Sequence, residues 1–138
     1  MLLGYDGSGN AKRALDRAIA LAGQQGASIR VVVVVNTMLI VYGPAAPYYP
    51  PDYAQQVMKE GAKLLTEAVD RAREAGRDVT GTVEDGHPAE IILNLAEKER
   101  IDLVVVGRRG ISGVERFLMG GVSSSVVSHS KCDVLVVK

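Results

Sequence analysis

A chain of 138 residues is close to the commonest size for one folded unit, so residues 1–138 are expected to form a single domain. Hydrophobic residues at 47% against 23% charged exclude intrinsic disorder, and sixteen Lys and Arg balanced by sixteen Asp and Glu remove the broad basic footprint of a nucleic-acid or anionic-membrane binder. The lone Cys132 can build neither an internal disulfide nor a cysteine zinc site. With no signal-peptide pattern at Met1-Leu2-Leu3-Gly4, the expected location is the cytoplasm. The longest nearly apolar stretch, residues 31–41, is broken by Asn36 and Thr37 and falls short of the roughly 20 residues that cross a bilayer, so no membrane span is expected.

Residues 1–5 read as a first strand, followed by Asp6-Gly7-Ser8 and a helix whose apolar positions are Ala14, Leu15, Ala18, Ile19 and Ala22, with Ser8 or Asn10 as its N-cap. Residues 29–35 are a valine run suited to a strand covered on both faces. Residues 36–53 hold four of the five prolines and four of the five tyrosines and read as a loop that is either a lid, a contact surface or a segment without a role. A long helix carries Ala54, Val57, Met58, Leu64, Leu65, Ala68 and Ala72 on one face and ends before Gly76. Residues 79–84 alternate apolar with small or polar positions, the pattern of an edge strand with one wet face. Pro88 opens a third helix, residues 102–106 make a fourth strand, residues 121–130 a fourth helix, and residues 134–137 the last strand. This strand–helix alternation defines an α/β domain with a largely parallel sheet.

Chemistry concentrates after the fourth strand, in VVVGRRGISGVERFLMGGVSSSVV. Gly107, Gly110, Gly113, Gly120 and Gly121 let backbone turn sharply and approach a ligand closely. The first amides of the following helix, its dipole, and the hydroxyls of Ser123 and Ser124 suit an anion. The same glycines also serve a bare strand-to-helix connection, and spacing alone leaves both readings open. No GxxxxGK[ST] and no GxGxxG follows the first strand, so P-loop hydrolases and dinucleotide dehydrogenases recede. Asp6 ends the first strand. If the fourth strand returns beside the first, Asp6 and Gly107 flank the switch point, where a carboxylate can accept from a ribose hydroxyl, hold a metal-bound water, or simply cap the first helix. Arg108, Arg109 and Arg116 form either a phosphate rim or a solvated one. His87 and His129 lack metal-ligand spacing and suit surface or capping roles, Cys132 suits a packed small hydrophobe, and no Ser–His–acid arrangement stands out.

LLGYDGS, GHPAEIILNLAEKERIDLVVVGRRG, GISGVERFLMGGVSSSVV and CDVLVVK together resemble the universal stress protein family over nearly the whole chain. Gly107, Gly110 and Gly120 match the family's nucleotide-binding spacing of Gly, two residues, Gly, nine residues, Gly. The resemblance implies a single open parallel five-stranded sheet of order 3-2-1-4-5 with helices on both faces, Rossmann-like and similar to adenine nucleotide alpha hydrolases. It also implies a stress-response role and an ATP site, with or without Mg2+. By position, Asp6 meets the ribose or metal–phosphate region, Val34 lines the adenine pocket, and Gly107, Arg109, Gly110, Gly120, Gly121, Val122 and Ser123 surround the phosphates. The family's Ser or Thr after the third glycine is Gly121 here, which removes one hydroxyl donor that Ser123 is placed to replace. The expected function is an ATP-binding regulatory protein. Alternatives are a slow ATPase or self-phosphorylating enzyme using one of Ser123, Ser124 and Ser125, and an interaction module whose pocket Gly121 leaves empty. A homodimer through Val134, Leu135, Val136 and Val137 is expected, because a final apolar strand at a sheet edge invites pairing and many members of the family dimerise there. Regulatory protein partners are left unspecified.

Overall fold

The computed structural model describes residues 1–38, 50, 52–110 and 121–138. In chain order these form β1 (Leu2–Gly4), α1 (Gly9–Gln25), β2 (Ile29–Val35), α2 (Tyr53–Glu74), β3 (Val79–Asp85), α3 (Pro88–Lys98), β4 (Leu103–Gly107), α4 (Gly121–His129) and β5 (Asp133–Val137). The five strands make one parallel sheet of order β3-β2-β1-β4-β5. Both the expected order and the expected edge position of β3 are observed. Most of the 36–53 loop lies outside the described residues.

Consecutive apolar residues serve opposite faces because side chains alternate along a strand. Leu3, Val31, Val33 and Val105 pack with Ala14, Leu15 and Ala18 of α1 and Ala68, Val69 and Ala72 of α2. Leu2, Val32, Val104 and Val106 pack on the other face with Ala89, Ile92 and Ala96 of α3 and Val126 of α4. Each fully buried Leu or Val contributes about 1.5–3 kcal/mol, and six of them, Leu2, Leu3, Val31, Val32, Val104 and Val105, sit in the three central strands. The valine runs are therefore double-sided core. At the sheet margin β3 is more open, with Thr80 exposed.

Helix boundaries follow local chemistry. Ser8 is the N-cap of α1, its hydroxyl oxygen accepting from the Ala11 amide at 3.1 Å, and Gly26 ends that helix in the left-handed region at φ +63°. Asn10, the other candidate, lies inside the helix and accepts from the Arg13 guanidinium. Pro88 occupies the first turn of α3, where its missing N–H leaves no bond unmade.

Tyr5 ties the central strand to both helices of its face. Its buried hydroxyl donates to Glu67 Oε1 of α2 at 2.9 Å, and Lys12 of α1 reaches the same oxygen at 3.2 Å. Burial, then the Glu67 carboxylate, push the Tyr5 phenol well above its ordinary range, so it stays a donor. The same bond, followed by that from Lys12, holds Glu67 below its ordinary value of 4.5. A carboxylate depressed on folding contributes stability that is present above its unfolded pKa and lost as pH falls through its folded one. Tyr5→Phe is expected to cost about 1 kcal/mol near neutral pH, the low end for a charge-assisted bond because Glu67 is half exposed. Thermal unfolding across pH should show the gap from the unmodified protein narrowing below 4.5; a constant gap would assign the loss to packing.

Candidate functional site

The strand order reverses between β1 and β4. The chain leaves β1 for α1 on one face, and after β4 it reaches α4 on the other, so the C-terminal ends of the two strands border a crevice. A cavity of about 600 Å3 occupies it. Its floor is apolar, made by Gly4, Val32, Val34, Ile92 and Val106, and its polar side includes Asp6, Arg109, Gly110, Gly121, Val122, Ser123 and Ser125, with His87 and Pro88 also lining it. Asp6, Val34, Gly107, Arg109, Gly110, Gly121, Val122 and Ser123, separated by up to 117 positions, all line this one space. Gly120, Gly113 and Arg116 lie outside the described residues.

Three helices begin at this cavity: α1 through Ala11, α3 through His87 and Pro88, and α4 through Gly121 and Val122. Amides of a helix's first turn have no acceptor within the helix, and three positive dipole ends together favour an anion. Among the described lining residues Asp6 is the one carboxylate. Its Oδ1 accepts from the Ser8 amide at 3.0 Å, an Asx-type turn that fixes the carboxylate beside the start of α1; the cap itself is Ser8.

The glycines differ in what they do. A Cβ on Gly107 would stand 2.8 Å from the Asn10 carbonyl carbon and 3.0 Å from the Ala11 amide, so this residue is bare to let β4 meet the N-terminus of α1. A Cβ on Gly110 would collide with Asp6 Oδ2. Around Gly121 there is open space, and residues 121–123 are the first turn of α4. Ser123 is buried, and its hydroxyl donates to the Arg108 carbonyl at 2.8 Å. A hydroxyl has one proton. In this arrangement Ser123 does not supply the donor that Gly121 lacks; what remains for an anion on that turn is backbone N–H.

Gly4 is a site residue that pattern reading passes over. A Cβ there would lie 3.0 Å from Ile92 Cδ1 and 3.3 Å from Val106 Cγ1, so its bareness keeps the floor deep. A glycine inside an apolar strand was the available signal. His87 stands at the N-cap position of α3 without a side-chain cap bond and borders the cavity. His129 takes the expected helix C-terminal place, its Nδ1 2.9 Å from the Ser125 carbonyl, and Cys132 packs against the buried cluster on the α3–α4 face. Among the described residues no group of three or more His, Cys, Asp or Glu could hold a metal ion, and no helix is long and apolar enough to cross a membrane.

These features define an open, doubly wound α/β domain with a cavity at its switch point, apolar on its floor and bordered by the first residues of three helices. The chain belongs to the universal stress protein family, whose model matches residues 1–138. It is 38% identical to the universal stress protein YxiE of Bacillus subtilis, covering 100% of this chain and 97% of that one, and 34% identical to a putative universal stress protein of Staphylococcus aureus, covering 100% and 82%. Among solved structures, the hypothetical protein MJ0577 has the same fold with a TM-score of 0.85 at 23% identity, covering 99% of this chain and 93% of that one. A universal stress protein in complex with cAMP gives a TM-score of 0.71 at 32% identity over the same shares.

Gly107→Ala is expected to lower stability by about 1–3 kcal/mol, because the clash is with backbone. Gly121→Ala, into open space at a helix start, should leave the melting temperature unchanged or raise it. Denaturant unfolding of both variants checks the contrast; equal tolerance would refute the role given to Gly107.

Proposed function

We propose that the chain is a regulatory protein that binds ATP, with or without Mg2+, in the cavity between β1 and β4. The observation that carries this reading is the pairing, in one space of about 600 Å3, of an apolar floor with residues from the N-terminal ends of three helices. Val34 and the floor take the adenine. Asp6 accepts from the ribose or holds Mg2+, an ion commonly bound through one or two carboxylates plus substrate phosphates. Arg109, Gly110 and the Gly121, Val122 and Ser123 amides take the phosphates, and Gly107 sets their distance from α1; Gly120 is included by its place in the glycine spacing. The cAMP complex of a 32% identical relative supports an adenine nucleotide and makes AMP and cAMP the natural competitors. No P-loop lysine and no Ser–His–acid arrangement stands out in the sequence, and binding that serves ground state and transition state equally does not speed the chemical step, which favours holding over turnover. The chain acts as one cytoplasmic domain in the stress response.

ATP is expected to raise the melting temperature by mass action. Gly110→Val, which drives a side chain into Asp6, should abolish that shift while the protein still folds. Gly121→Ser fits the open space and should tighten ATP binding by roughly ten- to a hundredfold, the worth of one hydrogen bond to a charged group. Calorimetric titration decides: ATP bound normally by Gly110→Val removes the site assignment, and unchanged affinity in Gly121→Ser removes the explanation of that departure.

The working unit is a homodimer through β5. The Val137 carbonyl accepts from the Arg108 amide at 2.7 Å, so alternate residues Val134 and Val136 turn their N–H and C=O to the outer edge. The apolar run Val134–Val137 of this strand is flanked by Asp133 and Lys138, and a two-fold axis would let two copies satisfy both edges at once. Val136→Pro removes an outward amide and leaves the β4 ladder intact, so it should yield a folded monomer. Light scattering of the unmodified protein showing a monomer at micromolar concentration would reject the dimer.

A further inference from the structure

Two consecutive carbonyls at the start of the glycine loop are each held by a serine from a different helix. Ser123 Oγ of α4 donates to Arg108 O at 2.8 Å, and Ser8 Oγ, at the cap of α1, donates to Arg109 O at 3.3 Å across 101 positions of sequence. A planar trans peptide points its C=O and its N–H in opposite directions. Fixing the Arg109 carbonyl toward Ser8 therefore directs the Gly110 N–H the other way. Arg109 and Gly110 line the cavity, whereas Ser8 is not among the residues that do.

We infer that Ser8 is a positioning residue for the anion cradle: its hydroxyl holds the 109–110 peptide with the carbonyl turned back toward α1 and the amide turned toward the ligand. The need for such a hold comes from Gly110. Reversing that peptide changes ψ at Arg109 and φ at Gly110, and glycine offers little resistance to the second rotation. The reversed peptide would present a carbonyl oxygen to a phosphate, converting a donor into a repulsive acceptor. Ser8 does this while its oxygen accepts from the Ala11 amide at 3.1 Å, so one hydroxyl joins the N-terminus of α1 to the loop after β4. The sequence suggested Ser8 only as a cap; its donated proton is the additional role.

This inference rests on the nucleotide reading above, and its test separates the phosphate contribution from the base contribution. Titration calorimetry with ATP and with adenosine is run on the unmodified protein, Ser8→Ala, Ser8→Thr and Ser8→Gly. Ser8→Ala should weaken ATP by roughly three- to tenfold, the range of one hydrogen bond, and leave adenosine unchanged. Ser8→Thr, which keeps the hydroxyl and the cap, should restore ATP binding. Should Ser8→Ala fail to fold for want of its cap, Ser8→Gly supplies the comparison, because glycine is tolerated at an N-cap and carries no hydroxyl. Equal losses for ATP and adenosine, or no loss for ATP, would overturn the positioning role while leaving the nucleotide site standing. An unmodified protein that binds neither compound would remove the site and this role together.

Discussion

The arrangement depends on one constraint of parallel sheets: when strand order reverses, the connections on either side of the reversal depart to opposite faces. Right-handed crossovers carry the chain from β1 through β2 to β3 beneath α1 and α2, and the return to β4 places α3 and α4 on the opposite face. No crossover spans the C-terminal ends of both β1 and β4. A crevice forms there as a consequence of topology, before any side chain is chosen for a ligand. The apolar alternation that buries both faces of β1, β2 and β4 also lines its floor, because Gly4, Val32, Val34 and Val106 belong to the face turned toward α3 and α4. Core and binding floor are one surface, continued beyond the point where the helices cover it.

The polar half has to solve a different problem. Backbone that offers amides to an anion also carries carbonyls that repel it, and each carbonyl needs a donor elsewhere. Here Arg108 O and Arg109 O are engaged by Ser123 and Ser8. The Arg108 amide goes to Val137. Asp6 faces Gly110 closely enough that no side chain fits between them, which sets a carboxylate against the Arg109–Gly110 wall of the cavity. Such an acid suits a ligand that carries hydroxyls or brings a cation as well as phosphate. A nucleoside phosphate has those groups in the required order, apolar base, hydroxylated sugar, anion, along a path from the floor to the helix ends.

Much of the fold was legible because its determinants are local. A run such as Val31-Val32-Val33 announces a strand buried on both faces, the Thr80-Gly81-Thr82 interruption announces an edge, and Ser8, Gly26 and Pro88 mark helix ends by chemistry that acts within four residues. The strand order and the gathering of Asp6 with Gly107 and Gly110 followed from that rhythm together with the family's glycine spacing. What escaped reading depends on distances between remote residues. Nothing near Ser123 in sequence reveals that its proton goes to Arg108, nor that Gly107 is bare for the sake of Asn10 and Ala11. Gly4 gives the same lesson from the other side, since only the position of Ile92 turns a weak strand residue into part of a cavity.

Gly121 shows how these two levels combine. By sequence it is a loss, a hydroxyl donor missing from a spacing that otherwise matches. By structure it is an exposed first residue of α4 with open space around it, so no packing demand explains the absence of a side chain. Ser123 cannot be moved to cover the deficit without releasing Arg108 O, and that would leave a loop carbonyl without its hydroxyl donor at the place where the cradle begins. On the proposed reading the Ser8 and Ser123 hydroxyls shape the cradle from behind, and attraction for the anion falls to amides, dipoles, Arg109 and the cavity-lining Ser125. On the proposed nucleotide reading, Gly4 and Ile92 set the depth available to the base at the apolar end of the cavity.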